Sequence, residues 1–87
     1  MRSILLEKNA IEDFEYWSKN DSKILKRISA LFLSISKNPF DGIGKPEPLR
    51  GDLKGYWSIR INDEHRIVYT IIEDKIIVIS CRSHYKF

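Results

Sequence analysis

The spacing of apolar residues changes halfway along this 87-residue chain, and this change limits the folds that the chain can adopt. Up to residue 37, apolar residues recur at steps of three and four, which is the period of an amphipathic helix. From residue 57 onward they alternate with polar residues or form β-branched runs, which is typical of strands. Helices followed by strands predict an α+β domain, with the helices packed on an antiparallel sheet.

The N-terminal half predicts one short strand and two helices. Residues 3–6 form an apolar run compatible with a strand, and Asn9 and Glu12 resemble a capping box at the start of the first helix. Asp21 can cap the second helix, which ends near Asn38-Pro39 because the residue before a proline avoids the helical region. The second helix carries an apolar stripe of Ile24, Leu25, Ile28, Leu31, Phe32 and Ile35.

The C-terminal half predicts a loop followed by a three-stranded meander. All four glycines fall between residues 40 and 55, which favours loop or irregular strand. Strands are predicted over residues 57–61, 65–72 and 75–83, with turns at Asn62-Asp63 and Glu73-Asp74. Residues 76–79 are apolar at every position, which predicts that both faces of the last strand are covered.

Length and composition predict one small domain over residues 1–87, since chains of this size bury only ~60–65% of their unfolded surface. The net charge of +3 favours a polyanionic partner, with nucleic acid first. Cys81 is the only cysteine, which excludes an intrachain disulfide; its strand-like flanks predict a small buried side chain. No apolar run is long enough for a signal peptide or a membrane span, so we expect a cytoplasmic protein without a membrane partner.

A few polar residues of the C-terminal half are candidates for chemistry. Glu47 lies between two prolines that limit its backbone, and His84 follows the last predicted strand. Arg60 and Arg66 flank a turn, so strand pairing can place both on one face. Each has a structural alternative: a glutamate in a rigid exposed turn, a solvated terminal histidine, or arginines that protect a sheet edge.

The sequence contains no cysteine pair, H-E-x-x-H helix or acidic calcium loop, so we expect neither a metal site nor a cofactor. A carboxylate, arginines and a histidine suit RNA cleavage through the 2′-hydroxyl. In that reaction a base removes the hydroxyl proton, a cation stabilises the phosphorane, and an acid protonates the departing oxygen.

Four segments together resemble the YoeB (Txe/YoeB) family of bacterial toxins, which belongs to the RelE superfamily. The resemblance covers nearly the whole chain in order and spacing. The segments are NPFDGIGKPEPL at 38–49, LKGYWS at 53–58, INDEHRIVY at 61–69 and CRSHY at 81–85. The resemblance implies a RelE-like fold and a toxin that cuts mRNA in the ribosomal A site.

The resemblance also implies roles for individual residues. Glu47 corresponds to the general base, Arg66 to the phosphate-stabilising arginine, and His84 to the general acid. Tyr85 corresponds to a residue that helps to orient the substrate, and Arg60 to a further arginine of the site.

Two other positions differ from relatives of the family. Arg50 falls where relatives often carry lysine, which keeps the charge but changes its geometry. Ile59 stands where some relatives have a second arginine.

The implied partners are mRNA, the ribosome with its ribosomal RNA, a YefM-type antitoxin and a second copy of the chain. Two other functions stay open from sequence: a gyrase inhibitor of the ParE type on the same fold, and an RNA-binding module without chemistry.

Overall fold

The computed structural model describes residues 1–82, and in this range the chain forms two helices packed on a five-stranded sheet. The elements are β1 (Ser3–Leu6), α1 (Lys8–Asn20), α2 (Ser22–Lys37), β2 (Glu47–Pro48), β3 (Tyr56–Arg60), β4 (Arg66–Ile72) and β5 (Lys75–Ser80), with a 3₁₀ turn at Gly51–Leu53. The strand order is β1-β5-β4-β3-β2. The predicted α+β architecture is confirmed. Strands β2 to β5 are antiparallel neighbours, whereas β1 pairs parallel with β5 and makes the sheet mixed.

The second helix begins and ends where the sequence predicts. The side chain of Asp21 accepts hydrogen bonds from the backbone N–H groups of Lys23 and Ile24, which have no partner within the helix. At the other end, the backbone N–H of Asn38 donates to Ser34 O, and Pro39 then prevents a further helical turn.

The first helix begins differently from the prediction. It starts at Lys8 with Glu7 as its N-cap residue, which makes no side-chain capping bond, so the predicted capping box at Asn9 and Glu12 is wrong. The backbone N–H of Glu7 donates to Val78 O at 2.9 Å, directly after β1 ends. Pairing with β5 therefore holds the chain up to Glu7, and the helix follows without a separate capping segment.

The core lies between the helices and one face of the sheet. Its apolar side chains are at most 6% exposed: Ala10, Trp17, Ile28, Leu31, Ile35, Ile59, Ile61, Ile67, Tyr69, Ile76, Val78 and Cys81. Burial of one large aliphatic side chain contributes about 1.5–3 kcal/mol, so this cluster is the main stabilising term. The predicted burial of Cys81 is confirmed.

Strand β5 has one covered face and one partly exposed face. Ile76 and Val78 are fully buried, whereas Ile77 and Ile79 are only partly buried. The prediction that both faces are covered is therefore wrong, because alternate side chains of β5 point away from the helices. The outer face of the sheet, on the side away from the helices, carries Ser58, Arg60, Arg66 and Thr70. No helix within residues 1–82 is long and apolar enough to cross a membrane.

Candidate functional site

Glu47 and Arg66 meet on the outer face of the sheet. In the strand register Glu47 lies opposite Ser58, and the next strand brings Arg66 to the same region. The Nη1 atom of Arg66 donates to Glu47 Oε1 and to Ser58 Oγ, each at 3.2 Å. The Arg66 side chain is 17% exposed and that of Glu47 is 52% exposed. The Arg66 guanidinium is thus held in place and mostly buried, while the Glu47 carboxylate remains open to a ligand.

The backbone around Glu47 is held on both sides. β2 is only two residues long, and its antiparallel pairing with β3 continues through the bond from Leu49 N–H to Tyr56 O, at 2.9 Å. The flanking prolines fix φ at positions 46 and 48, which further restricts this segment. This backbone therefore holds Glu47 against the sheet, and the segment loses little conformational freedom when a ligand binds.

Arg60 lies directly opposite Arg66 in the β3–β4 register, so the prediction that the two share one face is confirmed. Two hydrogen bonds hold the end of β3 at Arg60. The backbone N–H of Arg60 donates to Gly44 O, and the carbonyl oxygen of Arg60 accepts from Arg27 Nη2 at 3.4 Å. Two like charges directly across a pair of strands repel each other. Among residues 1–82, Glu47 offsets that repulsion at Arg66, and a bound anion can offset it at Arg60.

Arg50 lines a cavity of about 260 Å³ next to the same carboxylate. The cavity is formed by Glu47, Pro48, Leu49, Arg50 and Leu53. Arg50 precedes the 3₁₀ turn and is exposed, so its planar guanidinium is available to a phosphate beside the contact between Glu47 and Arg66.

The structure also shows a site residue that sequence reasoning missed. Ser58 is fully buried and accepts a hydrogen bond from the same Nη1 atom of Arg66 that donates to Glu47, so it also helps to orient the guanidinium. Its alternation with the apolar residues of β3 places it on the same face as Arg60, and this spacing was the signal that could have identified it.

Two other positions need comment. Ile59 is fully buried in the core and therefore does not lie on the outer face with Arg60. His84 and Tyr85, predicted as general acid and substrate-orienting residue, lie outside the described residues.

This arrangement combines a proton acceptor with one oriented cation, Arg66, and two exposed ones, Arg50 and Arg60. A carboxylate can take a proton from a hydroxyl, and guanidinium groups can stabilise negative charge that develops on a phosphate. Within residues 1–82, no group of three or more His, Cys, Asp or Glu side chains is placed to hold a metal ion.

Comparison with known protein families identifies the chain. Residues 6–85 match the family model described as a YoeB-like toxin of bacterial type II toxin-antitoxin systems. The chain belongs to the YoeB family of toxins. A protein of Synechocystis named Toxin YoeB is 57% identical to this YoeB-family toxin over 74 residues, which cover 85% of this chain and 86% of the relative.

Solved structures agree with this assignment. A YoeB/ParE toxin from Agrobacterium tumefaciens superimposes with a TM-score of 0.93 at 40% identity, covering 95% of this chain and 99% of the other. YoeB from Staphylococcus aureus has been solved as a dimer, with a TM-score of 0.88 at 46% identity and coverage of 97% and 98%. It has also been solved in a heterotetrameric complex with YefM, with a TM-score of 0.88 at 45% identity and coverage of 98% and 99%. The predicted fold and the family resemblance of this YoeB-family toxin are confirmed.

Proposed function

We propose that this YoeB-family toxin is a ribosome-dependent endoribonuclease that cleaves mRNA in the A site and so stops translation. One observation carries the proposal: the carboxylate of Glu47 is bonded to the guanidinium of Arg66, with Arg60 directly opposite on the same face. A base beside two cations is what the attack of a 2′-hydroxyl on its own phosphate requires.

In the proposed reaction Glu47 accepts the proton of the 2′-hydroxyl as the O2′–P bond forms. Arg66 stabilises the negative charge that develops on the phosphorane, and His84 protonates the 5′-oxygen as the P–O5′ bond breaks. The products are a 2′,3′-cyclic phosphate and a free 5′-hydroxyl. Because RNA supplies its own nucleophile, this sequence of steps uses only the chain's own residues and the substrate.

The burial of Arg66 supports its role. Its side chain is only 17% exposed, so its charge is screened less than that of a solvated arginine. Its bonds to Glu47 and Ser58 orient the guanidinium before substrate arrives, which lowers the cost of reorganisation during the reaction.

The same proposal assigns substrate binding to Arg50, Arg60 and Tyr85. Arg50 lines the cavity that Glu47 also lines, and Arg60 pairs with Arg66, so both exposed residues can bind phosphates of the mRNA or ribosomal RNA near the site. A net charge of +3 for the chain agrees with a polyanionic substrate.

The proposed protein partners are a YefM-like antitoxin and a second copy of the chain. The support is that the Staphylococcus aureus relative was solved both as a dimer and in complex with YefM. Because the substrate is mRNA on the ribosome, the proposed place of action is the cytoplasm.

The test is single-turnover cleavage of mRNA on programmed ribosomes, with cut sites mapped as new 5′ ends. Glu47→Gln keeps the size of the side chain and removes the base, and His84→Ala removes the acid. Either change should slow cleavage by about 10²–10⁴-fold, the usual worth of general acid-base catalysis. Glu73→Gln, in the exposed turn at the opposite end of β4 from Arg66, is the matched control and should cleave at the wild-type rate.

Three outcomes would overturn the proposal. Wild-type cleavage by both Glu47→Gln and His84→Ala would exclude the mechanism. Intact mRNA in arrested cells, together with DNA damage, would indicate a gyrase inhibitor of the ParE type. Binding to RNA with a steep salt dependence and no cleaved product would indicate a binding module.

A further inference from the structure

The last residues that the structure describes are fastened to α1. The carbonyl oxygen of Cys81 accepts from Trp17 Nε1 at 2.8 Å, and the Cys81 backbone N–H donates to Asp13 Oδ2 at 3.0 Å. The guanidinium carbon of Arg82 lies 3.5 Å from the centre of the Tyr16 ring. Both backbone polar groups of Cys81 and the side chain of Arg82 are therefore held by side chains of one helix.

These contacts come from one face of α1, since positions 13, 16 and 17 are three and four residues apart. Cys81 is fully buried and Trp17 is 5% exposed, so their hydrogen bond lies away from water, where its loss would leave buried polar groups unpaired. The bond to Asp13 involves a carboxylate and is charge-assisted. These contacts therefore hold residues 81 and 82 firmly against α1.

The strand register places this attachment near the Arg66 end of β4. β4 and β5 are antiparallel and Val68 pairs with Ser80, so Cys81 and Arg82 continue from Ser80 toward the Arg66 end of β4. His84 is two residues beyond Arg82 in the sequence. The attachment therefore lies at the start of the segment that carries the proposed general acid.

We propose that Asp13, Tyr16 and Trp17 are positioning residues that hold the chain at 81–82 so that His84 reaches the scissile phosphate. This inference rests on the proposed function, in which His84 is the general acid. A fixed attachment two residues before the acid restricts its motion relative to Glu47 and Arg66, and such restriction raises the rate of the chemical step. The residues of α1 act through His84 and do not touch the reacting atoms.

The experiment compares Tyr16→Leu and Tyr16→Phe with wild type in single-turnover cleavage on programmed ribosomes. Tyr16 is 36% exposed, so its replacement leaves the core in place. Leucine removes the ring beneath the Arg82 guanidinium and should slow cleavage about threefold to tenfold, with little change in KM for the ribosome. Phenylalanine keeps the ring and should restore the wild-type rate. Arg82→Gln removes the same contact from the other partner and should match Tyr16→Leu.

Phe40→Leu is the matched control. Phe40 is 48% exposed and also has an arginine over its ring, with Arg2 Cζ at 6.0 Å from the ring centre, but it lies outside the attachment at 81–82. This variant loses an aromatic ring and a contact of the same kind. It should cleave at the wild-type rate.

The decisive measurement compares the cleavage rate of His84→Ala with that of the double variant His84→Ala, Tyr16→Leu. If Tyr16 acts through His84, Tyr16→Leu should produce no further slowing there, because the group that it positions is already gone. An equal slowing in both backgrounds would overturn the inference, and so would wild-type rates for both Tyr16→Leu and Arg82→Gln. If His84→Ala alone cleaved at the wild-type rate, the general-acid role in the proposed function would fail and the positioning role with it. Slow cleavage by His84→Ala beside normal rates for the two positioning variants would refute only the inference.

Discussion

Replacement of Gly44 by alanine tests how tightly the loop before β2 packs against α2 and β3. Gly44 has a φ of +80°, and a Cβ atom there would lie 2.8 Å from Leu31 Cδ2 and 3.2 Å from the carbonyl oxygen of Arg60. Leu31 is fully buried and Arg60 O belongs to the backbone of β3, so neither neighbour can move without disturbing the core or the sheet. We therefore expect Gly44→Ala to destabilise the fold through both strain and overpacking.

The size of the effect follows from these two terms. A non-glycine residue with left-handed backbone costs about 1–2 kcal/mol. Insertion of a methyl group into a packed region costs about 1–3 kcal/mol more. Gly51 supplies the matched control, because its φ is +64° but a Cβ atom there meets nothing within 4 Å. Gly51→Ala should therefore lose only the first term.

Urea unfolding followed by tryptophan fluorescence measures both variants. The free energy of unfolding should fall by about 2–5 kcal/mol in Gly44→Ala and by about 1–2 kcal/mol in Gly51→Ala. Because Gly44 O accepts the backbone N–H of Arg60, the folded fraction of Gly44→Ala should also cleave mRNA more slowly. Equal losses of stability in the two variants would refute the reasoning, since it assigns the difference to the contacts with Leu31 and Arg60.

Two further predictions concern buried groups. Tyr69 is fully buried and its hydroxyl donates to the carbonyl oxygen of Pro39, so Tyr69→Phe should lower the free energy of unfolding by about 1–3 kcal/mol; a loss below about 0.5 kcal/mol in urea unfolding would contradict the role of this bond. Burial, with a smaller effect of the Asp13 charge, raises the pKa of the Cys81 thiol from 9.0 to about 12. Because the folded state favours the neutral thiol, the contribution of Cys81 to the free energy of unfolding is fully present below pH 9. This contribution decreases as the pH rises toward 12. The loss of stability between pH 9 and pH 12 should be smaller in Cys81→Ala than in wild type. At pH 8, iodoacetamide should modify the thiol of the native protein far more slowly than that of the urea-unfolded protein. Equal rates of modification would show that the native thiol is accessible.

Local signals predicted much of the fold. The apolar stripe of α2, the cap at Asp21 and the stop at Pro39 depend on residues within a few positions of one another, so the sequence alone determines them. The same holds for the turn after β3, where the side chain of Asn62 accepts from the backbone N–H groups of Glu64 and His65. The family resemblance predicted that Glu47 and Arg66 belong to the same site.

Pairing between distant segments decided the rest. The parallel pairing of β1 with β5 joins residues about seventy positions apart, and no local pattern specifies which strand lies beside which. That pairing also set the start of α1 at Lys8, against the capping signal in the sequence. The register of β2, β3 and β4 brought Ser58 beneath Arg66, and the packing of α1 against the end of β5 brought Asp13 and Trp17 to Cys81. Sequence alone thus determined which elements form, because short-range forces govern them. Only the tertiary structure decided which side chains meet, because that depends on the burial of the whole core.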